Sequence, residues 1–290
     1  MKADALPRTI QDICSQDAAR LKASLALDLN TARIEVQCLL QAILQVNRAW
    51  LFTHPEQPLN TGQHAQYMAL FERRLNGEPI AYILGEREFF GLKLKVTPDT
   101  LIPRPETELL VELALQRIPL CEPFRVLDMG TGSGAVALAV AHARPAAQVM
   151  ACDASRAALE VARGNAQRLG IANVAFVQSD WFAALGAQRF GLIMSNPPYI
   201  AADDPHLQQG DVRFEPLSAL VSGEDGLRDI RYIVARAPAH LQSGGWLLLE
   251  HGYTQATQVR ELLRQYGFGE VFSVPDLAGI ERVSGGRIFS

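Results

Sequence analysis

The chain has 290 residues, enough for one large domain or for a standard domain with a smaller partner. Its 48% hydrophobic and 20% charged residues belong to a globular protein and exclude disordered and fibrous classes. A net charge of -4 gives no whole-chain electrostatic reason to bind a polyphosphate backbone, so nucleic acid is a disfavoured partner.

Cys14, Cys38, Cys121 and Cys152 stand far apart, with no paired spacing and no histidine nearby that would suit zinc. Reduced thiols in a cytoplasmic protein are expected. The N-terminal residues lack the apolar core of a signal peptide, and the apolar run at 135–143 is too short to span a bilayer. No metal site and no membrane segment are therefore expected.

In TARIEVQCLLQAILQ, residues Ala32, Val36, Leu39 or Leu40, and Ile43 share one helical face, with Asn30 or Thr31 available as N-cap. A second helix is expected from Thr61 to Leu75, with Met68, Phe71 and Leu75 on one face and Asn76-Gly77 as its stop. Residues 1–77 thus read as a small helical domain. Residues 78–100 read as a linking β-hairpin, because YILGEREFFGLKLKV mixes aromatic and β-branched residues around Gly85 and Gly91 and alternates at Leu92, Leu94 and Val96. LIPRPETE (101–108) then leads into a helix, ELLVELALQRI, with Glu106 and Glu108 suited to its first turn.

From there the chain alternates. Strands are expected at 124–130, 148–153, 174–180, 190–195 and 244–252, and helices at 135–144, 155–169, 226–241 and 254–266, with a short helix after Asp180. The last segments, at 270–277 and 285–290, suggest a terminal hairpin. Such alternation implies right-handed crossovers and a mostly parallel sheet covered on both faces, an α/β domain at 101–290.

Three strand ends carry chemistry. Gly130-Thr131-Gly132-Ser133-Gly134 follows a strand and opens a helix, where glycines let a ligand approach the backbone. Alone, this is equally a tight β-α turn. Asp153, about 20 residues on and at the end of the next strand, adds a carboxylate for ribose hydroxyls. Together they suggest an adenosine-containing ligand. A dinucleotide enzyme begins the same way, but Asp128 before the loop, Ser179-Asp180-Trp181 ending the third strand and Ser195-Asn196-Pro197-Pro198-Tyr199 ending the fourth favour S-adenosylmethionine. Asp180 can accept from an adenine amino group, and Trp181 can enclose the ring unless it is a plain core residue.

Pro197-Pro198 ends a strand because proline cannot donate to the ladder, and it stiffens the path that follows. A planar NH2 group entering there could donate to the Asn196 side-chain oxygen and to the Pro197 carbonyl, with Tyr199 as a face to lie on. No general base is demanded, because an amide nitrogen is too weak an acid to be deprotonated first. Acceptors that stabilise the positive charge developing on nitrogen do the work, so Asn196, Pro197 and Tyr199 are the catalytic candidates.

With GEPIAYILGEREFFG, LIPRPETE, LDMGTGSGA, QSDWF, SNPPYI and FEPLSALVSGEDGL in family order, the chain resembles the HemK/PrmC family of protein-(glutamine-N5) methyltransferases over nearly its whole length. The resemblance implies a helical substrate-recognition domain, a hairpin, and a seven-stranded class I (Rossmann-like) S-adenosylmethionine-dependent methyltransferase domain. The implied substrate is the Gly-Gly-Gln glutamine of class I peptide chain release factors, and a monomer is expected. Carried over by position, Gly130 to Gly134, Asp153, Asp180, Trp181 and Asn196 bind the donor, while Asn196, Pro197, Pro198 and Tyr199 grip the glutamine amide. The intact PRPETE favours release factors over a ribosomal-protein glutamine, and Phe214 replaces a tyrosine common in the family. Two rivals are an adenine-N6 nucleic-acid methyltransferase, which uses a similar pocket for a flipped base, and a noncatalytic adenosine-binding module. Arg104 could pair with the donor carboxylate or hold its segment in place, and Phe89 and Phe90 could roof the pocket or simply pack.

Overall fold

The structure is a computed structural model and describes residues 8–289. The described residues divide into two compact units, 8–85 with 206–214, and 86–205 with 215–289. The first break falls just after Gly85, and the joining of residues 206–214 to the first unit lies beyond what the sequence suggested.

The first unit holds α1 (Ile10–Leu25), α2 (Leu29–Leu44), α3 (Arg48–Thr53), α4 (Thr61–Leu75) and α5 (Ile80–Leu84). Ala32, Val36, Leu39 and Leu40 are buried as the periodicity requires, against Ile13, Leu21 and Phe71. α2 starts earlier than expected. Asp28, not Asn30 or Thr31, caps it, its Oδ1 accepting from Asn30 N at 2.9 Å and Thr31 N at 3.0 Å. α4 ends at Leu75 as expected, with Gly77 at φ +91°. Arg74 on its last turn is buried, binds Glu35 at 2.7 Å and reaches Asp211 at 3.0 Å, which ties 206–214 to this unit.

The hairpin is shorter than residues 78–100. Residues 80–84 are helical, and only β1 (Glu86–Phe89) and β2 (Leu92–Lys95) pair, antiparallel. After a 3-10 turn at Pro105–Thr107 and α6 (Glu108–Leu115), the alternation runs β3 (Phe124–Met129), α7 (Ala135–Ala143), β4 (Ala147–Asp153), α8 (Arg156–Leu169), β5 (Val174–Gln178) and β6 (Phe190–Ser195). Turns, rather than a short helix, join β5 to β6. There follow α9 (Arg228–His240), β7 (Leu241–Glu250), α10 (Ala256–Gln265), β8 (Gly269–Pro275) and β9 (Glu281–Arg287).

These seven strands form one sheet in the order β5-β4-β3-β6-β7-β9-β8. β3 to β7 are parallel, and the terminal hairpin adds β9 and β8 antiparallel. Alternate residues serve opposite faces: Val126, Leu192 and Met194 join one core with α6 and α7, while Leu127, Ile193 and Leu247 join another with α9 and α10. The architecture is a seven-stranded, mostly parallel Rossmann-like sheet. The winding leaves β3 towards β4 on one side and resumes at β6 on the other. That reversal opens a crevice at the carboxyl ends of β3 and β6, where such sheets bind ligands. Among the described residues no helix is long and apolar enough to cross a membrane.

Candidate functional site

The ends of β3, β4 and β6 lie in register, with Met129 opposite both Cys152 and Ser195. The loop after β3 turns sharply, its glycines at φ +70° (Gly130), +56° (Gly132) and +85° (Gly134), conformations that a side chain disfavours. Its shape is set from within. Gly130 N and Thr131 N both donate to Cys152 O, Gly132 N donates to Asp153 Oδ2 at 2.9 Å, and Thr131 Oγ1 donates to buried Asp128 Oδ2 at 2.7 Å. Asp128 Oδ2 also accepts from Ala137 N at 3.2 Å, fastening the loop to the first turn of α7.

Burial pushes the Asp128 carboxyl from 3.8 up to about 7, opposed by these two donors. Between those values the folded chain holds a proton that the unfolded chain has released, so stability falls as pH rises through about 4 to 7. Glu250 acts in the same direction, pushed by burial to about 7. Asp128→Asn keeps an acceptor for Thr131 and removes one titration. Denaturant melts across this range are expected to show a pH dependence flatter by up to about 4 kcal/mol, and an unchanged slope would contradict the assignment.

Two hollows meet at Gly130, Gly132 and Asn196. The larger, about 250 Å3, is lined by Asp153, Ser155, Asp180, Trp181 and Pro198 among others. The smaller, about 50 Å3, includes Arg104, Thr107, Thr131 and Ser133. Asp153 is fixed by Gly132 N on Oδ2 and by Ser155 N at 2.8 Å on Oδ1, which leaves each oxygen a lone pair for a ribose hydroxyl. Burial pushes this carboxyl up, opposed by those amides. Asp180 is exposed at the rim. Trp181 sits at φ +47°, a strained position for a bulky residue, and its ring stands 3.7 Å from where a Cβ on Gly130 would lie. A nucleoside therefore finds a glycine floor, an aromatic wall and a pre-oriented carboxylate, which fits an adenosine-bearing donor.

Gly134 does something else. It caps α7, and a Cβ there would press on Leu138 at 3.0 Å and Ala162 at 3.2 Å, so its part is close packing. At the fourth strand end Pro197 is buried and Pro198 lines the larger hollow. Asn196 Nδ2 donates to Thr107 Oγ1 at 3.1 Å, and Tyr199 OH donates to Glu250 Oε1 at 3.3 Å. Burial pushes the Tyr199 phenol well up, with Glu250 adding to the rise, so it stays protonated. Glu250 Oε2 is buried with no hydrogen-bond partner among the described residues.

Beyond Tyr199 the chain is pinned. Ile200 N donates to Leu220 O and Ser222 N to Ile200 O, each at 2.9 Å, and Gln255 Nε2 donates to Tyr199 O at 3.1 Å. This accounts for FEPLSALVSGEDGL, whose Leu220 to Ser222 and Gly226 hold the strand end in place.

Residues 18–85 match the family described as PrmC N-terminal domain, and residues 106–211 match the methyltransferase small domain. A release factor glutamine methyltransferase of Xylella fastidiosa is 52% identical over 255 residues, 88% of this chain and 93% of that protein. This chain belongs to the release factor glutamine methyltransferase family. A relative of the same name from Bordetella pertussis is 52% identical over 92% of this chain and 99% of its own. A solved methyltransferase from Pyrococcus furiosus, 21% identical, matches 76% of this chain and 98% of its own at a TM-score of 0.53, a likeness of fold.

In this release factor glutamine methyltransferase family member, Arg104 Nη2 is paired with buried Glu215 Oε2 at 2.7 Å, which supports the role of holding its segment. Phe89 is fully buried beside Leu94 and Leu110, and Phe90 packs on the same core, so both are packing residues. Thr107 and Gln255 had no assigned part in the sequence, and Gly226 stood there only as the start of an expected helix. Only for Gly226 did a signal exist, the turn-forming Gly-Glu-Asp-Gly.

Proposed function

We infer that this protein transfers a methyl group from S-adenosylmethionine to the side-chain amide nitrogen of the glutamine in the Gly-Gly-Gln loop of class I peptide chain release factors. The observation that carries this reading is the place of Asn196, at the sheet's switch point and in the lining of both hollows. The relatives of Xylella fastidiosa and Bordetella pertussis, release factor glutamine methyltransferases, support the substrate.

When bound, S-adenosylmethionine supplies an electrophilic sulfonium methyl. Gly130 to Ser133, Asp153, Asp180 and Trp181 would hold its adenosine and its amino-acid end. Asn196 Oδ1 and the Pro197 carbonyl accept the two hydrogens of the substrate amide and stabilise the charge that grows on its nitrogen. Pro198 and Tyr199 hold that nitrogen in line, and no side chain removes a proton before transfer. Glycines beside the glutamine let its side chain reach the cleft. Residues 1–77 are the release-factor recognition domain in this reading, and the protein acts as a cytoplasmic monomer.

Incubation with methyl-labelled donor and a purified release factor is expected to label the factor, and replacement of its loop glutamine by alanine to remove the label. Label that persisted in the alanine factor, or that passed only to nucleic acid, would overturn the reading.

A further inference from the structure

Asn196 carries two chemically opposite ends on one planar amide, since Oδ1 accepts hydrogen bonds and Nδ2 donates them. A half-turn about its last side-chain bond exchanges the two at little steric cost. With Nδ2 presented, an entering NH2 group would meet a donor with its own donors, and the acceptor would be lost.

The chain removes that ambiguity. Nδ2 donates to Thr107 Oγ1 at 3.1 Å, and Thr107 is 4% exposed at the end of the 3-10 turn Pro105–Thr107. The turn is stiff, with proline at its first position, Thr107 N donating to Arg104 O at 3.1 Å and Arg104 paired with Glu215. With Nδ2 so held, Oδ1 is the end of the amide turned away from Thr107.

We propose that Thr107 is a positioning residue for methyl transfer, holding the Asn196 amide so that Oδ1 meets the glutamine NH2 group. The proposal rests on the part given to Asn196 above. Thr107 ties the PRPETE segment to the strand end that carries Asn196 and Tyr199, so two stretches far apart in sequence set one clamp.

Thr107→Val deletes the hydroxyl and keeps the branched shape. Its kcat is expected to fall about 10- to 100-fold, with donor affinity by titration within about 3-fold of the parent. Thr107→Ser is expected to restore kcat to within about 3-fold, and Asn196→Ala with Thr107→Val to be no slower than Asn196→Ala alone. Should valine disturb the turn, Thr107→Ala is read in the same way. A kcat for the folded valine or alanine variant within about 3-fold of the parent, no rescue by serine, or losses that multiply in the double variant would overturn the proposal. Near-normal turnover in Asn196→Ala would instead sink the reading of Asn196 itself, so the two failures are distinguishable.

Discussion

Asn196→Ala is expected to lower kcat by about 100- to 1000-fold, the usual cost of deleting one preorganised group aimed at developing charge. The effect belongs to the transition state. In the ground state the substrate amide is neutral, and its hydrogens lose little by exchanging Asn196 for water. As the nitrogen takes the methyl group it becomes positive, and the acceptor is then worth most in a site walled by Trp181 and prolines. Donor affinity should change less than kcat, because Asp153 and the glycine loop keep their own hydrogen bonds to Cys152, Asp153 and Asp128. Fold stability should hold as well. Asn196 is half-buried, and its side-chain bond leads to the Thr107 hydroxyl. Single-turnover transfer, donor titration and a thermal melt check the three statements separately. Near-normal turnover would refute the part given to Asn196, and a collapsed melt would make it a structural residue.

What could be seen in the sequence followed from period and punctuation. The strands of the parallel sheet are short apolar runs because both faces are buried, and Pro197-Pro198 marks the end of β6 because a ladder cannot pass through proline. Asp153 was legible from its distance to the glycine loop. The supporting shell was not. Thr107 lies 89 residues from Asn196, and Gln255 lies 56 from Tyr199, so neither pair leaves a local pattern. α5 escaped for a different reason. Five residues make barely more than one turn, and aromatic and β-branched residues there imitate a strand. The start of α2 was ambiguous because Asp28, Asn30 and Thr31 are all good caps. The left-handed backbone of Trp181 has no sequence signal, since a bulky residue ordinarily disfavours it.

Gly226→Ala is expected to destabilise the protein by about 2–4 kcal/mol and to cost activity beyond that, through the clamp it never enters. Gly226 sits at φ +74°, which alone disfavours alanine by about 1 kcal/mol. The larger part is space. A Cβ there would lie 2.3 Å from Tyr199 O and 2.8 Å from Gln255 Nε2, the two atoms that bond to each other at 3.1 Å. Neither can move cheaply. Tyr199 follows two prolines and precedes Ile200, which is bonded on both sides to Leu220 and Ser222, while Gln255 Oε1 also accepts from Gly252 N at 2.9 Å. Displacing the Tyr199 carbonyl shifts the turn that carries Asn196 and Pro197, and a misplacement near 1 Å at a reacting group costs on the order of 100-fold. Gly267→Ala separates the two contributions. Gly267 has a similar φ of +82° with nothing within 4 Å of its would-be Cβ, so it should lose only the backbone share of stability and keep its turnover. If both variants lost stability equally and both kept kcat, the close approach of Gly226 to Tyr199 would have no part in holding the clamp.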